Sequence, residues 1–270
     1  MPLSIHPIGA IGTPSQPANL KAAALDQATP PGSVATTATI QRAPSAADSP
    51  ALSDAMKALG LTSKLASDLQ AVASALVPSM EQIVENRPDL ATASFDFQSD
   101  NGAIKVVSDS LSDGDKAWLE QTLNANQGLV DAVQAFHNDA TTSYALWAGA
   151  DGQSPLDTAS ISDLADGHFS FMSMFNKSSQ AMLQNMDQNG SYTTPDGAPM
   201  DFHRSVNSAL NFLIYQKSNQ AVLDGSSTYT THTGQTFHGA IKGNFFSIPG
   251  VIPDFLPSTS SSSFGLNAMA

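Results

Sequence analysis

Residues 62–86 read TSKLASDLQAVASALVPSMEQIVEN, and this stretch decides the fold class. Leu65, Leu69, Val72, Leu76, Met80 and Ile83 recur at steps of three and four, which places them on one face of an α-helix. Thr62 or Ser63 is the expected N-cap. Just upstream, Ser49-Pro50 has a capping hydroxyl followed by proline at the first helical position. It opens a shorter helix, expected to stop near Leu59 at Gly60. Pro78 falls inside the longer helix. Its ring and missing N–H predict a kink or a split there.

The pattern then changes period. Phe95 and Phe97 alternate with polar residues, Asp100-Asn101-Gly102 signals a turn, and Ile104 and Val106 resume the alternation, which predicts a hairpin near 93–107. Ser112-Asp113-Gly114-Asp115 has the form of a capping box. It opens a helix carrying Trp118, Leu119 and Leu123. A further helix is predicted from Gln127 to Trp147, with Leu129, Val133, Phe136, Ala140, Tyr144 and Trp147 on one face. Ser162 is the expected cap of a helical region reaching Met186. Asp201 is the expected cap of a last long helix with Phe202, Val206, Leu210, Leu213 and Ile214 inward, ending before Gly225. Residues 227–246 read as a loose hairpin.

Composition divides the chain of 270 residues. Residues 1–47 hold Asp26, Lys21, Arg42 and seven prolines. Such a stretch cannot bury enough apolar surface to offset its ordering entropy, so it is expected to be disordered. The net charge of −13 opposes binding to nucleic acid or anionic lipid, because both need clustered Lys and Arg. The acids comprise 21 Asp and only three Glu. Asp is a capping, turn and hard-cation residue, so the bias points to many capped helices or to calcium. With no cysteine, disulfides and thiolate chemistry are excluded. No apolar run approaches the roughly 20 residues of a membrane span. The first 30 residues lack the basic and apolar regions of a cleavable signal peptide.

Candidate sites come from Asp, Asn and His. Asn185, Asp187, Asn189, Gly190, Tyr192 and Asp196 resemble the twelve-residue EF-hand calcium loop at its ligand, glycine and hydrophobic positions. Three departures weaken the match: a neutral first ligand, Asp rather than Glu at the last position, and Pro195 before it. His232 and His238 flank a predicted turn and could face one another across it to bind zinc or another borderline metal. Asp166-Gly167-His168 and Asp201-Phe202-His203 sit at predicted helix starts. There they could serve as acid–base pairs, but N-capping alone accounts for both Asp residues. His137, beside Phe136, reads as a partly buried structural residue. Convergence of two or more of His137, Asp166, His168, Asp201 and His203 in one pocket would favour an enzyme. No Gly-x-Ser-x-Gly elbow, Walker loop or Gly-x-Gly-x-x-Gly is present. Phe169, Phe171, Met172, Met174, Phe175, Met182 and Met186 could form an adaptable docking surface. Their spread around a helix argues instead for burial on more than one side.

The opening Met1-Pro2-Leu3-Ser4-Ile5 and the Ser-, Thr-, Pro- and Ala-rich, acid-poor residues after it resemble the unfolded export regions of bacterial type III-secreted proteins. The absence of cysteine and the few aromatics are similar to such proteins too. The resemblance implies a bacterial protein that passes unfolded at its start through a narrow channel and acts outside the cell or in a host. A dedicated export chaperone would be a partner.

The expected architecture is mainly α, a helical bundle of five or six helices with one or two small β-hairpins. A disordered leader (1–47) precedes the helical domain (48–246), and an irregular, mobile tail (247–270) follows it. The predicted core is Leu65, Leu69, Leu76, Trp118, Leu119, Val133, Phe136, Phe175, Val206, Leu210 and Leu213. The expected function is that of an exported, non-catalytic interaction protein that binds another protein through a helical surface. Two alternatives stand beside it: a hydrolase or metal-assisted enzyme using Asp166, His168, Asp201 and His203, and a calcium-stabilised structural protein. A cytoplasmic location is the alternative to export.

Overall fold

The long apolar stripe forms a single helix. In the computed structural model, which describes residues 50–150, 157–239 and 245–253, α1 (Pro50–Asn86) runs through both Gly60 and Pro78. The expected stop at Gly60, the cap at Thr62 or Ser63 and the split at Pro78 are therefore corrected. A helical glycine costs only about 1 kcal/mol. Ala58 is buried and Leu61 half-buried on either side of Gly60, so packing carries the helix through. At Pro78 the interrupted turn is stapled by Asn126, whose Nδ2 donates to the Ala75 carbonyl (2.8 Å) and to Ser79 Oγ (2.9 Å). The Oδ1 of Asn126 meanwhile accepts from the Leu129 N–H at 3.2 Å. One side chain thus ties α1 to the start of α3 (Gln127–Ala150) and caps the latter.

α3 lies antiparallel along α1. Asn126 meets Ala75 and Ser79, Lys64 pairs with Asp139, and Gly149 sits beside Asp54. All six residues of the α1 stripe are buried, each contributing about 1.5–3 kcal/mol of apolar burial. Between the two long helices in sequence come β1 (Asp96–Asp100), β2 (Ala103–Val107) and α2 (Asp113–Asn124). The hairpin turns on Asn101 (φ 52°) and Gly102 (φ 80°), both left-handed as a two-residue hairpin loop requires. At the start of α2, Ser112 Oγ accepts from the Asp115 N–H and donates to the Asp115 carboxylate.

The region expected as one helix from Ser162 to Met186 is two. α4 (Thr158–Ala165) is capped by Asp157, which accepts from the Ser160 N–H at 3.0 Å and the Ser160 hydroxyl at 2.6 Å. Ser162 is therefore interior, and Asp166 ends α4 rather than starting a helix. Gly167, at φ 72°, turns the chain away. α5 (Phe171–Asn185) follows, buried on more than one side: every member of the Phe/Met set through Met182 is buried, and Met186 is half-buried.

The last helix also starts later than its sequence suggests. α6 is Ala209–Leu223, capped by Ser208, so Asp201 is no cap. The later start shifts which face points inward. Phe212, Tyr215 and Val222 are buried while Leu210 is 38% exposed and Leu213 and Ile214 are half-buried. Trp118, also expected in the core, is half-buried beneath the Arg87 guanidinium. The other eight expected core residues are buried.

β3 (Gly190–Thr193), β4 (Thr228–Thr231) and β5 (Thr236–His238) form an antiparallel sheet in that order. β3 is a correction, because residues 187–200 are expected as a loop. A 3₁₀ helix, Phe245–Ser247, crosses the expected domain end at 246. Phe246 and Val251 are buried, so packed structure runs to 253. The expected leader and the tail from 254 lie outside the described residues. Among those residues, no helix is long and apolar enough to cross a membrane.

Among the described residues the mainly helical body thus comprises six α-helices and two small antiparallel sheets. Rings join its parts. Phe136 meets Phe171 edge-on at 5.4 Å, and Phe171 stacks on Phe97 at 5.1 Å, linking α3, α5 and β1. Asp96 fixes the same junction. Its carboxylate accepts from the N–H groups of Phe97 (2.8 Å), Met172 (2.8 Å) and Ser173 (3.0 Å) and from the Ser173 hydroxyl (2.6 Å). Burial pushes this carboxyl upward, against the pull of its four donors. Asp96→Ala leaves the first turn of α5 without its acceptor and is expected to cost about 2–3 kcal/mol in urea unfolding. A loss below about 0.5 kcal/mol would show that α5 is held without it.

Candidate functional site

α4 packs across α3. Ser162 and Asp166 are one helical turn apart and so share a face, and both reach the ring of His137 on α3. The His137 Nε2 lies 3.0 Å from Ser162 Oγ. Its Nδ1 lies 3.4 Å from Asp166 Oδ1, close enough for an ion pair but not aligned as a hydrogen bond. His137 is buried, Ser162 and Asp166 half-buried. The first hairpin fixes the acid: Ser99 Oγ donates to Asp166 Oδ1 and the Asn101 N–H to Oδ2, each at 3.0 Å. The Gly167 N–H closes the contact on the Ser99 carbonyl at 3.1 Å. Hydroxyl, imidazole and carboxylate thus stand in series, an order that can draw a proton off the serine.

Of the five acid–base candidates, only His137 and Asp166 come together. His168 is exposed, its ring edge-on to Phe169 at 4.9 Å. Asp201 accepts from the His203 backbone N–H at 3.1 Å and pairs with Arg204 Nε at 2.6 Å. The His203 ring is exposed beside a 250 Å³ cavity at β3.

The calcium-loop residues are drawn to separate partners. Asn185 donates to the Ala181 carbonyl within α5. Asp187 accepts from the Tyr229 hydroxyl and from the backbone N–H of Asn189, and these bonds hold its carboxyl below the usual range. The stretch between, which an ion would have to gather, is spent on pairing β3 with β4. Asp196 accepts from Lys217 and from the Thr194 hydroxyl, and this pair holds its carboxyl down at about 2. His232 and His238 do not face one another, because β5 pairs His238 with Thr228 while His232 lies in the turn. Among the described residues, no three His, Asp or Glu side chains are grouped to hold a metal ion.

Two surface features carry no sequence motif. The first is a 590 Å³ groove between α1 and α6, walled by Val77, Pro78 and Leu213, with the partnerless Oε1 of Gln216 among its linings. The second is an exposed apolar stripe on the first turns of α1: Leu52 (43% exposed), Met56 (66%) and Leu59 (60%). Sequence spacing alone assigns such a stripe to a core face. It stays exposed because the core-facing side of these turns is the one carrying Ala58, Leu65 and Leu69.

No family model, no curated protein and no solved structure matches this chain.

The low value at Asp196 has a definite sign. A carboxyl held below its unfolded value supports the fold above the ordinary carboxylate range, and that support fades as pH falls toward about 2. In an NMR titration its midpoint is expected at about 2, and Lys217→Met is expected to move it upward. An unchanged midpoint in the variant would show that Lys217 is not its partner in solution.

Proposed function

We propose that this is an exported bacterial protein that binds another protein through the helical surface at the start of α1. The exposed Leu52, Met56 and Leu59 carry the reading. They stand four and three residues apart, the spacing by which one helix offers a continuous ridge to another. Among the described residues upstream of Leu65, Ala58 is the buried apolar one on α1. The exposed side of this end is open to a partner, and Leu146 and Trp147, near the end of α3, are half-buried. Apolar side chains clustered on an exposed face mark interaction sites more often than singly scattered ones. The net charge of −13 favours a partner whose contact surface is rimmed with Lys or Arg. Export rests on a separate observation, the proline-rich, acid-poor opening and its resemblance to type III export regions.

A photo-crosslinking residue in place of Met56 is expected to capture one discrete partner in cells, and Leu52→Glu with Leu59→Glu to abolish that capture. The melting temperature should be nearly unchanged, since exposed substitutions usually fall within about 0.5 kcal/mol. Capture that survives both glutamates would place the partner elsewhere. Deleting residues 2–47 is expected to abolish passage through a type III apparatus. Passage without them would remove the export reading and leave the docking surface standing.

A further inference from the structure

We infer that Ser162 is a nucleophile activated by His137, and that this face of α4 accepts small esters. The inference goes beyond docking, and it rests on different residues from the α1 stripe. Three observations carry it. Ser162 Oγ lies 3.0 Å from the Nε2 of a buried imidazole, a direct path for its proton. The opposite ring nitrogen faces a carboxylate at 3.4 Å, which favours the tautomer that leaves Nε2 free to accept. That carboxylate is itself held by the first hairpin through Ser99 and Asn101, so the acid is positioned before any ligand arrives. Ser162 is half-buried, with its hydroxyl turned toward the His137 ring and the neighbouring Asp163 and Leu164 exposed. The setting differs from a strand-to-helix elbow: the serine is inside a short helix, and its acid is one turn further along the same helix.

The reaction balances without an outside oxidant or metal. Ser162 Oγ adds to the ester carbonyl carbon as its proton passes to His137 Nε2. The C–O bond to the alcohol then breaks, and the departing oxygen takes that proton. Water repeats the cycle on the acyl-serine, and the free acid leaves. Ser162 and His137 are the catalytic pair, and Asp166 is a positioning residue.

The test uses the full chain with a biotinylated alkyl fluorophosphonate, in which phosphonylation of the serine expels fluoride. Peptide mass spectrometry is expected to find the adduct on Ser162 in preference to the exposed Ser53 and Ser63, and to find none there when the chain is unfolded in urea before the reagent is added. Ser162→Ala should remove the adduct together with turnover of p-nitrophenyl acetate. His137→Gln should slow labelling by about 100-fold or more. Asp166→Asn is expected to slow labelling less than His137→Gln does, as fits a positioning residue. The Leu52/Leu59 glutamate variant should label like the parent chain, which separates this inference from the docking surface. Absence of an adduct on Ser162, or labelling no faster than at Ser53 and Ser63, overturns the inference. So does a folded His137→Gln protein that labels at the parent rate. If that variant unfolds, the parent chain's own labelling pattern decides.

Discussion

The antiparallel contact between α1 and α3 is the constraint on which the other elements depend. Leu65, Leu69, Val72, Leu76, Met80 and Ile83 need partners along their whole length; Leu129, Val133, Phe136 and Ala140 of α3 share one core with them, and α2 and α6 also pack on α1. A helix of 37 residues cannot hold itself straight in water by propensity alone, least of all with glycine and proline inside it. Its continuity is a tertiary result. Asn126 makes this plain: the residue that starts α3 also bonds α1 beside Pro78. The two sheets are too small to stand alone. The first is anchored by β1 against α5 and by β2 against α2.

Aspartate does much of the joining, which accounts for its excess over glutamate. Its carboxylate sits one methylene from the backbone and so can bind nearby N–H groups at little entropic cost. Asp157 caps its own helix, whereas Asp96 and Asp166 reach across to other elements. Asp187 ties the end of α5 to β4, and Asp196 ties the loop after β3 to α6. The ligand-like spacing at 185–196 arises from this joinery. Two acids that would have to converge on an ion are turned toward a tyrosine and a lysine instead.

Much of the fold was legible because periodicity is a local signal. The α1 stripe, the Asn-Gly hairpin, the Ser112 cap and the core face of α3 each rest on residues within a few turns of one another. Misreadings occurred where two local signals competed. Asp201 and Ser208 both look like caps. Only the packing of Phe212 and Tyr215 chooses Ser208, and that choice turns Leu210 outward. Gly60 and Pro78 are breakers by propensity, overruled by burial elsewhere in the chain. The site was half legible. Asp166 stood out as a candidate beside a histidine, but its partner is His137, 29 positions earlier, and no spacing rule links them. Ser162 was visible only as a cap, because a serine inside a helix carries no signature of what faces it.

The geometry also relates docking to chemistry. His137 and Trp147 lie on one helix, ten residues apart, about 15 Å along its axis. A protein seated on Leu52, Met56 and Leu59 beside Trp147 would be tethered within reach of Ser162. A tether of that length raises the local concentration of any ester on the partner toward the millimolar range without improving the serine itself. The relay needs such help. In the series Ser162–His137–Asp166 the proton path is built, yet the backbone N–H groups of Asp166, Gly167 and His168 are already committed to carbonyls and cannot steady a developing oxyanion. Were both proposals to hold, a partner seated on the exposed stripe would supply a proximity to Ser162 that the relay itself does not.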